Sequence, residues 1–183
     1  MRIDPTPIPG VLLVEPDVHH DERGSFYESW NRLRFADFGL DQDFVQDNHS
    51  SSVRGVLRGI HYQDASSPLA KLVRCTAGGV WDVAVDLRAG SPTYGRWYGV
   101  ELTAENHRQL FVPVGCGHGF AALSDRAEVQ YKCSGYYNPK AEGCIAWNDP
   151  DLNICWPFPA PLLSSKDAGG RSWREYQRCP AFR

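Results

Sequence analysis

Phe44-Val-Gln-Asp-Asn-His-Ser-Ser-Ser-Val-Arg-Gly-Val-Leu-Arg-Gly-Ile-His-Tyr-Gln63 is the stretch whose reading decides the fold. It consists of two strand-like segments broken by a turn of small residues. Between them they present Gln46, Asn48, Arg58 and His61 among otherwise β-prone neighbours. A strand that spends positions on two amides, a guanidinium and an imidazole is more than scaffolding, and the pattern predicts the wall of a polar cavity. Gln46 and Asn48 share a strand face, whereas His49 alternates away from them. Strict alternation puts Arg58 and His61 on opposite faces. If both line one cavity, the strand must twist or bulge, and Gly59 is the expected place.

Outward from this run, short β-rich segments recur between glycines (17) and prolines (13), the pattern of an all-β sandwich or barrel. Val80–Leu87 sets Trp81, Val83, Val85 and Leu87 on one face and Asp82, Ala84 and Asp86 on the other. Ala127–Cys133 gives Ala127, Val129, Tyr131 and Cys133 a common face. Ser25–Trp30 is expected to place Phe26, Glu28 and Trp30 together. Turns are marked at Ala77–Gly79, Arg88–Pro92, Val112–Gly115 and Asn148–Pro150. One short helix is expected from Asn31, as its cap, to Phe38, with Gly39 as its stop. The chain from Pro157 onward is expected to wrap the surface with some helix. No repeat or linker interrupts residues 1–183, which read as a single domain.

A formal charge of −3 argues against a general nucleic-acid binder, although a few arginines in a pocket still suit one anionic ligand. No stretch approaches the ~20 apolar residues of a membrane span, and Met1–Gly10 lacks the apolar core of a signal peptide. The cysteines at 75, 116, 133, 144, 155 and 179 form no closely spaced ligand pairs. Reduced thiols in a cytoplasmic protein are therefore expected.

Arg58-Gly-Ile-His-Tyr-Gln63 opens a wider match. With it run Asp21-Glu-Arg-Gly-Ser-Phe-Tyr-Glu28, Lys71-Leu-Val-Arg74, Trp81-Asp-Val-Ala-Val-Asp-Leu-Arg88 and Gly90-Ser-Pro-Thr-Tyr-Gly95. Further blocks are Glu101–Asn106, Gly117-His-Gly-Phe120, Tyr131-Lys132 with Tyr136-Tyr137, Trp147-Asn-Asp-Pro150 and Leu163-Ser-Ser-Lys-Asp167. In this order and spacing, the chain resembles the dTDP-4-dehydrorhamnose 3,5-epimerase family. The resemblance implies a double-stranded β-helix (the cupin jelly roll) with short peripheral helices. It also implies inversion of the two carbons flanking the ketone of a dTDP-linked 4-keto-6-deoxyglucose, with no cofactor and no metal.

That chemistry needs a base for a proton beside a ketone, stabilisation of the enolate, and a proton donor on the opposite face of the ring. An imidazole, with an ordinary pKa of about 6.5, suits the base, and the resemblance gives this role to His61. It pairs Asp167 with His61 as the carboxylate that fixes the ring, as in a catalytic triad. It makes Tyr131, a phenol with an ordinary pKa near 10, the opposite acid, and Lys71 the positive charge near the enolate. Arg58 is assigned to the diphosphate, with Gln46 and Asn48 in the nucleotide arm. Arg23, Phe26 and Glu28 resemble thymidine-end contacts reaching a neighbouring subunit of a homodimer, with Phe26 and Tyr137 stacking on the base. His118 is read as a support of the cavity or of the histidine. Taken singly, a strand histidine, a tyrosine on an apolar face and a lone lysine are structural or surface residues; the assembled match reverses that reading for His61 and Tyr131.

Three other readings stand beside this one. A metal cupin ordinarily uses two histidines one residue apart, which neither His61 nor His118 has. A non-catalytic sugar-nucleotide-binding cupin has no need of His61, Tyr131 and Asp167 together. A single-carbon 3-epimerase would use the same residues, and Gly117 before His118 is similar to that branch, whereas residues 44–63 and Trp147–Pro150 resemble the rhamnose branch.

Overall fold

The computed structural model describes all of Met1–Arg183. In chain order its strands are β1 (Arg2–Pro5), β2 (Leu12–Glu15), β3 (His19–Asp21), β4 (Gly24–Phe26), β5 (Gln46–Val53), β6 (Leu57–Gln63) and β7 (Lys71–Ala77). Then come β8 (Gly79–Asp86), β9 (Trp97–Thr103), β10 (Gln109–Val112), β11 (Cys116–Ala122), β12 (Arg126–Cys133) and β13 (Glu142–Cys144). The helices are α1 (Arg32–Ala36), α2 (Ser165–Ala168) and α3 (Trp173–Arg178). Six strands form one antiparallel sheet in the order β1-β2-β10-β7-β12-β5, and five form a second in the order β13-β6-β11-β8-β9. The hairpin β3–β4 pairs only with itself. Successive strands thus repeatedly cross between the two sheets, as in a jelly roll.

Alternation explains why the sheets stack. Val73 and Cys75 (β7), Leu110 and Val112 (β10), and Ala127 and Val129 (β12) point inward from the first sheet. They meet Val80 and Ala84 (β8), Val100 and Leu102 (β9), and Phe120 and Ala122 (β11) from the second. Tyr131 packs at the edge of this cluster, where apolar side chains give way to polar ones.

The other face of β8 is buried as well. Val83, Val85 and Leu87 pack with Ile60, Tyr62 and Ile145 against Trp173, Tyr176 and Phe182 from the C-terminal segment. Tyr176 is fully buried and its hydroxyl donates to the Leu87 carbonyl at 2.8 Å. Burying an aromatic ring of this size contributes roughly 1.5–3 kcal/mol, so the expected surface wrap is a second half of the core. It carries two short helices, α2 and α3.

Two further sequence expectations are corrected. The expected helix to Phe38 ends at Ala36: Asn31 caps it by accepting from the Leu33 and Arg34 amides, and Gly39 at φ +85° reverses the chain. The expected common face of Phe26, Glu28 and Trp30 does not form, because β4 ends at Phe26. Phe26 is 74 % exposed, while Trp30 packs on Phe35 and Phe44. Trp30 instead belongs to the cluster built around Phe35, Leu40 and Leu72.

The expected bulge in β6 is present. His61 stands opposite His118 on β11, and Arg58 opposite Phe120, so three steps on β6 span two on β11. Gly59 adopts φ +128°, and the Gly59–Ile60 peptide is cis. A Cβ at Gly59 would run into Gly119 Cα and lie 2.8 Å from the His118 carbonyl oxygen. Glycine is therefore the one residue that fits both the backbone conformation and the space.

Candidate active site

The inward face runs out of apolar residues at one end of the stacked sheets, leaving a cavity of about 340 Å³. The six-stranded sheet supplies Gln46, Asn48 and Ser50 from β5, Lys71 from β7 and Tyr131 from β12. The five-stranded sheet supplies Arg58 and His61 from β6 and His118 and Phe120 from β11. The bulge at Gly59 lets Arg58 and His61 both face this space. Asp167, Lys166 and Ser164 close it from α2 and its cap.

His61 Nε2 lies 2.6 Å from Asp167 Oδ1. Asp167 is buried and also accepts from the Ser164 hydroxyl at 2.6 Å and the Gly59 amide at 3.1 Å. Burial opposes its ionisation, but the His61, Ser164 and Gly59 donors outweigh that cost and hold the carboxyl down at about 2. A carboxylate in this position can only accept, so Nε2 carries the proton. Nδ1 is thereby left with its lone pair.

Across the cavity, Tyr131 faces Asn48 on the adjoining strand, and burial pushes its phenol up. Lys71 Nζ sits 5.6 Å from the Tyr131 ring centre, and burial draws its ammonium pKa down. His118 is buried with Nε2 2.9 Å from Asp82 Oδ2; its desolvation outweighs the carboxylate and lowers its pKa. It lines the cavity and stands opposite His61 in the strand register.

Gln46, Asn48 and Arg58, the residues expected in the nucleotide arm, line the same cavity. Gln46 donates to Asn48 at 2.9 Å, and its carbonyl accepts the Tyr137 amide at 3.1 Å. Arg58 is steadied by the Ser52 hydroxyl and the Ser51 carbonyl. Arg23, Phe26 and Glu28 do not join this cavity within their own chain. Arg23 pairs with Asp21, and Glu28 accepts from Asn31 and Arg34.

Sequence reading missed Glu142, Lys166 and Ser164. The Tyr137 hydroxyl donates to Glu142 at 2.8 Å, and Lys166 pairs with the other Glu142 oxygen. Glu142 begins a three-residue strand too short to alternate. Lys166 and Ser164 had one available signal, their adjacency to Asp167 in the run Leu163–Asp167.

Gly117, the residue similar to the single-carbon branch, is tightly packed. A Cβ there would lie 2.5 Å from Ile60 Cγ2 and 3.1 Å from Leu87 Cδ1, on the face turned away from the cavity. The absence of a side chain at Gly117 leaves room for Ile60 beside the bulge.

A two-sheet jelly roll whose cavity holds a carboxylate-bound histidine and a partly buried tyrosine places the chain among the enzymes of the cupin class. The chain belongs to the dTDP-4-dehydrorhamnose 3,5-epimerase family, whose model matches residues 5–175. It is 54 % identical over 170 residues to the dTDP-4-dehydrorhamnose 3,5-epimerase of Pseudomonas aeruginosa, covering 92 % of this chain and 93 % of that one. It superimposes with a TM-score of 0.89 on the dTDP-6-deoxy-D-glucose-3,5-epimerase of Legionella pneumophila solved with dTDP-4-keto-L-rhamnose. That comparison has 47 % identity and covers 93 % of this chain and 92 % of the other. A dTDP-4-dehydrorhamnose 3-epimerase of Streptomyces niveus is 45 % identical over 168 residues, covering 91 % of this chain and 81 % of its own. No helix is long and apolar enough to cross a membrane.

Proposed function

We propose that the protein epimerises dTDP-4-dehydro-6-deoxy-D-glucose at C3 and C5, giving dTDP-4-dehydro-L-rhamnose for carbohydrate biosynthesis. The observation that carries this reading is that His61 and Tyr131 belong to opposing sheets and face one cavity. A sugar ring held between them has a base on one side and an acid on the other, as inversion of a carbon requires.

In this mechanism His61 Nδ1 takes the proton beside the C4 ketone. Asp167 accepts a hydrogen bond from Nε2–H throughout and stabilises the imidazolium. The charge moving onto the C4 oxygen is met by the Lys71 ammonium in a low-dielectric pocket, where it is worth more than in water. Enolate and diphosphate both favour the charged form of Lys71, countering its burial. Tyr131 then delivers a proton to the opposite face. Arg58 binds the diphosphate, Gln46 and Asn48 orient the nucleotide, and His118 supports the floor.

The rest of the reading concerns assembly and setting. Residues 1–183 act as one epimerase domain in a cytoplasmic homodimer. The isolated hairpin β3–β4, with Arg23 and an uncovered Phe26, suits an arm that completes the neighbouring site, where Glu28 and Tyr137 would also meet the thymine. Six free cysteines accord with a reducing compartment.

Incubation with the 4-keto sugar nucleotide in deuterated water tests the reading. Solvent deuterium at both C3 and C5 of a product with inverted configuration is expected. Label confined to C3 would replace this reading with single-carbon epimerisation.

A further inference from the structure

Cys144 on β13 stands directly across from His61 on β6, so the two side chains share a face. One ligand atom each from Cys144, His61 and Asp167 lies within 4.8 Å of the other two. We propose that these three residues form an inhibitory site for a thiophilic divalent cation, Zn2+, which disables the catalytic base by occupying it.

The donor set suits that ion: a thiolate, an imidazole nitrogen and a carboxylate oxygen are its usual ligands, and hard cations are poorly served by sulfur. Bonds of about 2.0–2.3 Å place tetrahedral ligand atoms roughly 3–4 Å apart. Ligand atoms that lie within 4.8 Å of one another must therefore close to tetrahedral spacing through movement of Cys144, and the 2.6 Å His61–Asp167 pair must open slightly. Asp167 already has the outer hydrogen bonds of a ligating carboxylate, from Ser164 and Gly59. His61 and Asp167 border the cavity, which gives the ion its entry and a water for the fourth position.

The protons balance simply. Burial pushes the free Cys144 thiol up to about 11, so the ion displaces one proton from sulfur to solvent. At His61 the ion takes Nε2, and the proton there moves to Nδ1. The nitrogen facing the sugar then carries a proton and cannot accept another.

This inference uses the His61 role proposed above, but its central test does not need turnover. Full-length protein is titrated with Co2+ as a spectroscopic probe, and thiolate-to-cobalt charge-transfer absorbance is followed without sugar nucleotide. The wild type is expected to develop the band, and Cys144→Ser to lack it. A Cys155→Ser, Cys179→Ser double variant, which removes the two exposed thiols, is expected to keep it. In the epimerase assay, Zn2+ should inhibit the wild type reversibly with chelator. Cys144→Ser should keep basal activity and need at least ~10-fold more Zn2+ for half-inhibition. A wild type without the band, a band that survives Cys144→Ser, or equal Zn2+ sensitivity of the two proteins would overturn the site.

Discussion

His61 Nε2 and Asp167 Oδ1 lie 2.6 Å apart although 106 positions separate them in the chain. The pair joins strand β6 to helix α2, and the Ser164 cap fixes its geometry by bonding the same carboxylate. The proposed catalysis and the docking of the C-terminal segment therefore share one buried group.

Asp167→Asn keeps the shape of this pair and removes its charge. The amide can donate to His61, which favours the tautomer with its lone pair turned away from the sugar. We expect kcat to fall about 10³–10⁴-fold, by analogy with the aspartate of a serine-protease triad, with KM little changed. A variant within tenfold of wild-type kcat contradicts the orienting role.

The same carboxylate makes stability depend on pH. Its pKa, ordinarily 3.8, is held at about 2 in the folded protein. The resulting stabilisation, on the order of 2 kcal/mol, is complete above the unfolded value and is lost as pH falls from about 4 towards 2. Ser164→Ala removes one donor and raises the folded pKa. Urea unfolding at pH 7 and pH 3 should show a smaller acid-induced loss for Ser164→Ala than for wild type. An equal loss would mean that the hydroxyl does not hold the carboxylate down.

Tyr131→Phe removes the proposed acid and leaves the proposed base in place. Burial keeps the Tyr131 phenol protonated through the neutral range, so its loss cannot be offset by pH. Deuterium exchange at the carbon beside the ketone should persist while inverted product disappears. If inverted product forms at an undiminished rate, the donor is another group.

Gly59→Ala combines a strained backbone with a collision against Gly119. A loss of at least about 2 kcal/mol is expected, together with loss of activity as the Gly59 amide leaves Asp167. Thermal unfolding indistinguishable from wild type would show that the bulge tolerates a side chain.

Gly117→Ala separates packing from specificity. The added methyl meets Ile60 and Leu87, at a cost of about 1–3 kcal/mol. Residual enzyme should still label both C3 and C5. A switch to one carbon would assign position 117 to the sugar after all.

The alternation of residues 46–48, 80–87 and 127–133 determined the strands and their inward faces, because side-chain direction in a strand has a period of two. It also pointed to Gly59 as the place for a twist or bulge if Arg58 and His61 were to share a wall, and the structure has a bulge there. Capping chemistry located the start of α1 at Asn31. Tertiary structure alone decided the rest. The extent of the second core depended on Trp173, Tyr176 and Phe182 finding the outer face of β8, a long-range contact that no local pattern encodes. Glu142 joined the site through a strand too short to alternate. The pairing of Asp167 with His61, implied by resemblance, exists physically because burial leaves that carboxylate no partners except His61, Ser164 and Gly59, which only the folded chain brings within reach.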